Sequence, residues 1–234
     1  MPRTKRIVLP GYSHHVMQRG HNRQTVFKGK EDYLKFIDDM RELKSDCSIQ
    51  VQAWSMTPYE VHLLVHPGDN TSALAEFMKG LTSRTTHYRN RLEQRSGTLW
   101  ESRYRSSPVQ PSWVLPCMRY IERVPLEDRI VQRLDQYRWS SYGVHAGLER
   151  PVWLDEALAY RTLGDTPQDR QRHFRVYMNR KPTRNEVRVI IDAVRSNQLT
   201  GDDTFAAEAQ AATGILVPPN RKRGRPRKTG RKAR

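Results

Sequence analysis

Hydrophobic positions along this chain follow two rhythms, one of three to four residues and one of two. Over residues 30–46 the apolar positions Tyr33, Ile37, Met40 and Leu43 keep the longer rhythm, with Leu34 and Phe36 widening the stripe, which predicts an amphipathic helix. Leu74, Phe77, Met78, Leu81, Thr85, Tyr88 and Leu92 predict a second, longer helix, and Val114, Met118 and Ile121 a third over 113–124. The shorter rhythm appears at 13–18, a short strand followed by a basic turn at 19–23. It returns at 49–54, where Ile49, Val51 and Ala53 alternate with Gln50, Gln52 and Trp54 as in a strand with one buried face. Thr57-Pro58-Tyr59 breaks that strand, and Val61-His62-Leu63-Leu64-Val65 makes the return arm of an antiparallel hairpin. Residues 97–107 predict a turn and a fourth strand. The order β-α-β-β-α-β followed by a helix predicts an α+β class, a ferredoxin-like core with an antiparallel sheet. Beyond residue 151 the pattern is mainly helical. The predicted helices 184–197 and 205–212 form either a DNA-reading helix-turn-helix or a pair packed on its neighbour.

Charge divides the chain differently. Its 234 residues carry a formal net charge of +16, partitioned as +7 on 1–150, zero on 151–218 and +9 on 219–234. We therefore expect three parts: a core domain 1–150, a helical extension 151–218 and a disordered basic tail 219–234. Within the tail, Arg223-Gly224-Arg225-Pro226-Arg227-Lys228 looks like an AT-hook arm, its arginines placed to enter a narrow minor groove. No apolar run reaches 18 residues, so no membrane span is expected, and the basic N-terminus lacks the apolar stretch of a secretory signal. Two cysteines, Cys47 and Cys117, form no disulfide framework, and the expected location is the cytoplasm, at the nucleoid.

On the predicted helix 74–92, Lys79, Arg84, Arg89, Arg91 and Arg95 face only two acids of that helix, Glu76 and Glu93. Such a face is either simply solvated or a contact for phosphates. Arg19 and Arg23 in the basic turn, with Arg103 and Arg105 in the fourth strand, are further candidates for nucleic-acid backbone contact. On the strand 60–65 the alternation puts Glu60 and His62 side by side on one face. A carboxylate and an imidazole so placed can bind one metal ion, or pair a base with its orienting acid, or merely sit on a solvated sheet.

The segment Thr57-Pro58-Tyr59-Glu60-Val61-His62-Leu63-Leu64-Val65 resembles the HUH segment of the single-tyrosine transposases. The stretch 14–23, Gly97-Thr98-Leu99-Trp100-Glu101-Ser102-Arg103, Arg119-Tyr120-Ile121-Glu122 and Tyr137-Arg138-Trp139-Ser140-Ser141-Tyr142 resemble that family in the same order. Gly201-Asp202-Asp203-Thr204-Phe205 and the Arg-Gly-Arg-Pro-Arg-Lys tail are similar to its REP-associated branch.

What the resemblance implies is a nuclease core that nicks and joins single-stranded DNA at hairpin or palindromic repeats, as a monomer or homodimer. Its nucleophile falls on Tyr120, which would form a 5′-phosphotyrosine link, with Mg²⁺ or Mn²⁺ held by the HUH pair. The family's second metal histidine falls on His62 and its first on Glu60, a departure. The Asn or Gln that usually stands four residues after the nucleophile falls on Val124, a second departure. Glutamate is a hard oxygen ligand suited to these ions, whereas valine coordinates nothing. The alternative is a domesticated scaffold that has lost cleavage and binds DNA hairpins, or, outside the family, a sheet that displays aromatics to RNA.

Overall fold

The structure, a computed structural model, describes residues 6–150 and 153–217. Strands β1 (Ser13–Arg19), β2 (Gln50–Met56), β3 (Glu60–His66) and β4 (Arg105–Val109) form one antiparallel sheet in the order β2-β3-β1-β4. Helices α1 (Lys30–Asp46) and α2 (Ala73–Leu92) make the crossovers. This is the ferredoxin-like α+β arrangement that the order of elements predicts.

Strand parity assigns the two faces of the sheet. Val16, Val61, Leu63 and Val65 point to one side and bury against Phe36, Met40, Leu74, Phe77 and Leu81 of α1 and α2. Ala53, Leu64 and Val109 point to the other and lie under Cys117, Met118 and Ile121 of α3 (Val114–Glu127). The candidate chemistry occupies that second face.

Three expectations about local structure are corrected. β2 does not have a single buried face: Gln52 and Trp54 are as enclosed as Val51, because a bulge at 51–53 and the later segments 139–141 and 153–155 cover the strand. Leu34 is exposed, so the stripe on α1 is narrower than the sequence suggests. The fourth strand begins only at Arg105. Before it, Trp100 makes an isolated bridge to Gly20, and its indole N–H donates to the Thr82 carbonyl oxygen at 3.1 Å. A side chain at Gly20 would put its Cβ 2.4 Å from the Gln24 carbonyl oxygen, so this turn admits only glycine.

The remaining helices are α4 (Tyr142–His145), α5 (Leu158–Arg161), α6 (Pro167–Asn179), α7 (Arg184–Ser196) and α8 (Phe205–Thr213). They share cores with the sheet domain. Phe174, Met178 and Ile190 complete the cluster under α3, and Leu199, Phe205, Ala209 and Val217 close around Leu9. α7 and α8 are thus packed against their neighbours, the blander of the two sequence readings. Thr200 pairs with Val109 along the free edge of β4, as Ser140 does with Ser55 along the free edge of β2. Both sheet edges are covered, which protects them from pairing with other chains. Residues 219–234, with the AT-hook-like arm, lie outside the described residues.

Candidate active site

The central pair β1–β3 builds the site by its register. Arg19 stands opposite Glu60 and Met17 opposite His62, so alternate residues of both strands project together beneath α3. His15, one step further along that face, reaches across to His62, with Nε2 and Nδ1 2.9 Å apart. His62 Nε2 in turn lies 3.2 Å from Glu60 Oε1, and the Arg19 Nε–H donates to Glu60 Oε2 at 2.9 Å. The result is a chain of four polar side chains, His15–His62–Glu60–Arg19, running towards solvent. His15 and His62 are almost wholly buried, while Glu60 and Arg19 keep 16% and 24% of their side chains exposed.

Tyr120 completes the arrangement from α3. Its ring stands edge-on to both imidazoles, with centroids 5.6 Å from His15 and 5.7 Å from His62. Tyr120, Glu60 and His62 are therefore one site rather than three separate features. Glu60 and His62 do not sit on a solvated sheet, because α3 roofs that face.

The electrostatics follow from burial and from these contacts. Desolvation works to raise the Glu60 pKa, but the hydrogen bond and charge of His62 and the Arg19 guanidinium overcome it and hold the carboxyl at about 2. Burial, assisted by the neighbouring His62, pushes His15 well below the ordinary histidine value, so it is neutral. Burial and the Glu60 charge raise the Tyr120 hydroxyl, and Arg195 on α7 works in the opposite direction. His15 Nε2 and His62 Nδ1 share one proton across their 2.9 Å contact, and either ring can be its donor. Whichever ring carries it, His15 Nδ1 is buried without a partner.

The structure gathers some of the sequence candidates and separates others. Arg19, Arg103 and Arg105 line one shallow cleft beside the site. Arg105 shares a rung with Met17 and His62 across the sheet, about 10 Å from the histidine. Arg23 is close enough to act electrostatically on Asp128, which also feels Glu60, His62 and Arg19. Lys79 and Arg84 lie on α2, in the layer on the opposite side of the sheet from Tyr120. Arg84 is engaged by Glu42 at 2.7 Å and Asp39 at 3.4 Å, and Arg89 is buried against Asp32 at 2.8 Å. The acids that neutralise this helix come from α1, so a count of charges along α2 alone does not find them. Arg223, Arg225 and Arg227 lie outside the described residues.

Arg195 and Asp128 are the site neighbours that sequence reasoning misses. Arg195 is more than 70 residues from the nucleophile candidate in sequence, and Asp128 sits one turn beyond Val124 at the end of α3, where no family position signals it. Val124 itself is buried and contributes no donor atom. Among the described residues no group of three or more His, Cys, Asp or Glu forms a metal cage. The donors present are a pair, Glu60 Oε1 and His62 Nε2.

Sequence comparison decides the family. Residues 9–124, which run from before β1 to within α3 and hold this pair and its tyrosine, match the IS200-like transposases. Through these residues the chain belongs to the IS200-like transposase family. No curated protein matches the sequence. Among solved structures, this transposase is similar to the REP-associated tyrosine transposase bound to a REP hairpin, at 16% identity and a TM-score of 0.51, covering 68% of this chain and 93% of that one. A second likeness, to a protein of Deinococcus radiodurans assigned as a transposase, has 17% identity and a TM-score of 0.36 over 58% of this chain and 97% of that one. The family match and the first likeness agree with the four-stranded fold. Among the described residues no helix is long and apolar enough to cross a membrane.

Proposed function

We propose that this transposase is of the REP-associated type and nicks and joins single-stranded DNA beside hairpin repeats through Tyr120. The observation that carries the reading is the meeting of Tyr120, edge-on, with buried His62, whose Nε2 lies 3.2 Å from Glu60. In the step proposed, Tyr120 Oη forms a bond to a backbone phosphorus, the P–O3′ bond breaks, and the 3′-oxygen leaves with a proton as a free hydroxyl. One phosphodiester-type bond replaces another, so a second 3′-hydroxyl can later displace the tyrosine without an external energy source.

Glu60 and His62 fit a divalent ion of the Mg²⁺ or Mn²⁺ class. Their donor atoms converge, Glu60 remains ionised at any physiological pH, and such ions accept few protein ligands when water and phosphate oxygens supply the rest. Bound there, the ion would polarise the scissile phosphate and so offset the poor nucleophilicity of a buried tyrosine. His15 positions His62: with the proton they share on Nδ1 of His62, its Nε2 is left to act as a ligand. Arg19, Arg103 and Arg105 would hold the DNA backbone at the mouth, with Arg23 nearby. We assign the chemistry to residues 1–150, the bracing of α3 to 151–218, and non-specific DNA contact in the nucleoid to the tail 219–234.

A second reading is favoured by Val124 and by the Arg19–Glu60 pair: a scaffold that binds hairpins without cutting them. A labelled hairpin oligonucleotide with single-stranded flanks, incubated with Mg²⁺ or Mn²⁺, separates the two. A covalent protein–DNA band that is absent in Tyr120→Phe supports the transferase. Tight binding with no band under either metal overturns it in favour of the second reading.

A further inference from the structure

A second potential binding feature lies round the β2 edge from the tyrosine. A cavity of about 300 Å³ opens between α1, residues Arg138, Trp139 and Val144, and the residues Glu149, Arg150, Trp153 and Leu154, within the range of small-ligand pockets. Its walls include three indoles, Trp54, Trp139 and Trp153; its rim carries Arg138 and Arg150 beside the acid Glu149, and Arg41, which pairs with Asp38 at 3.4 Å. Aromatic and guanidinium planes beside net positive charge are what a nucleobase with its phosphate requires.

The walls are fixed by the fold. The Met56 N–H donates to the Trp139 carbonyl oxygen at 2.9 Å, and Tyr33 stacks on the Trp139 ring with centroids 4.5 Å apart at 10°. Trp153 is held through its neighbours: Lys44 Nζ donates to its carbonyl oxygen at 2.5 Å and pairs with Asp155 at 3.0 Å, while Asp155 bonds the β2 backbone at Val51 in both directions. The Arg138 guanidinium lies 4.8 Å from the Trp139 ring centre, a plane on which a base can stack. A ligand therefore meets rings already in place and need not order them.

Position links the cavity to the site. Ser140, next to Trp139, bridges to Ser55, and Ser55 is the cross-strand partner of His62. Two strand spacings separate them, about 10 Å. We propose that this cavity receives one unpaired nucleotide of the DNA flank, its base against the indoles and its phosphate on Arg138 and its rim neighbours. The assignment of the nucleotide to a hairpin flank rests on the function proposed above; the nucleotide chemistry of the cavity does not.

The test uses the full chain and two probes. In the first, 2-aminopurine is placed at successive positions of a single-stranded hairpin flank. We expect its fluorescence to be quenched on binding at one position, and both Arg138→Ala and Trp153→Phe to reduce that quenching. Arg138→Ala, which removes an exposed side chain and leaves the fold intact, should weaken binding of the flanked hairpin roughly tenfold and leave a flankless hairpin unchanged. In the second, deoxyadenosine monophosphate is titrated while tryptophan emission is followed. A saturable change lost in Arg138→Ala supports the cavity even if no hairpin binds, in which case the transferase reading alone has failed. Hairpin binding with no quenched position, or no hairpin binding and no response to the mononucleotide, overturns the proposal.

Discussion

The Tyr120 ring meets His62 edge-on, at 82° and 5.7 Å between centroids, although the two residues are 58 positions apart and on different elements. The contact exists because β3 turns His62 to the α3 side of the sheet and α3 turns Tyr120 down onto it. One helical turn further along α3, Val124 faces the same region without a donor. We expect Val124→Asn to add a polar ligand there and to raise covalent-complex formation in Mg²⁺ or Mn²⁺ roughly tenfold. Inserting an amide at a buried position should also cost about 1–3 kcal/mol of stability. Quantifying the covalent band beside urea denaturation reads both effects, and an unchanged yield would show that the +4 position does not limit the reaction.

Arg119, the residue before the tyrosine, ties α3 to the helical extension. Its guanidinium bonds both oxygens of Glu186 at 2.7 Å and lies over the Tyr177 ring at 4.1 Å. Arg119→Ala strands a largely buried carboxylate, with an expected loss of roughly 3–5 kcal/mol in urea unfolding. Arg119→Met combined with Glu186→Leu should recover much of that loss, since it removes both charges. Covalent-complex formation by the double variant then reports whether the brace serves only stability.

Acid should weaken the fold before it reaches the carboxylates. His14 is fully buried, and desolvation is the main cause of a pKa of about 4, with the Tyr12 carbonyl opposing and His66 assisting. Its Nε2 accepts the Leu9 N–H at 3.1 Å, a bond that protonation would destroy. Between about pH 6.5 and about pH 4 the unfolded chain binds a proton that the folded chain refuses. Stability from this residue is thus full at neutral pH and falls by roughly 3 kcal/mol across that window. Neutral, buried His15 adds to the same trend. Urea midpoints across this range should drop for the native chain and drop less steeply for His14→Gln.

The basic tail carries nine Lys and Arg and no acid over residues 219–234. Deleting it should weaken DNA affinity and reduce the slope of log affinity against log salt, because fewer counterions are released. An unchanged slope would mean that these residues do not touch DNA.

The glutamate at the centre of α3 shows where a motif has a structural rather than a chemical use. Glu122 is wholly buried, accepts from Ser141 Oγ at 2.5 Å and lies 2.6 Å from His145 Nδ1. It thereby joins the Arg119–Glu122 motif to the Tyr137–Tyr142 motif. Replacing it with Ala should cost roughly 3–5 kcal/mol, measured by denaturation, because the cluster would be left unpaired in a dry core.

Much of the molecule was already determined by the sequence alone. The three-to-four-residue rhythm located α1, α2 and α7, and the two-residue rhythm assigned Glu60 and His62 to one face of β3, because burying one side of a regular element imposes its period on the residues. The similarity of ordered motifs supplied Tyr120. Tertiary structure decided what rhythm cannot encode. Register between β1 and β3 selected His15, and not His14, as the partner of His62, and set Arg19 against Glu60. The acids of α1 claimed Arg84 and Arg89, and a bulge with two later segments closed over both faces of β2. In each case the deciding contact joins residues from separate elements. Its energy depends on distance and desolvation in the folded chain, and local spacing carries neither.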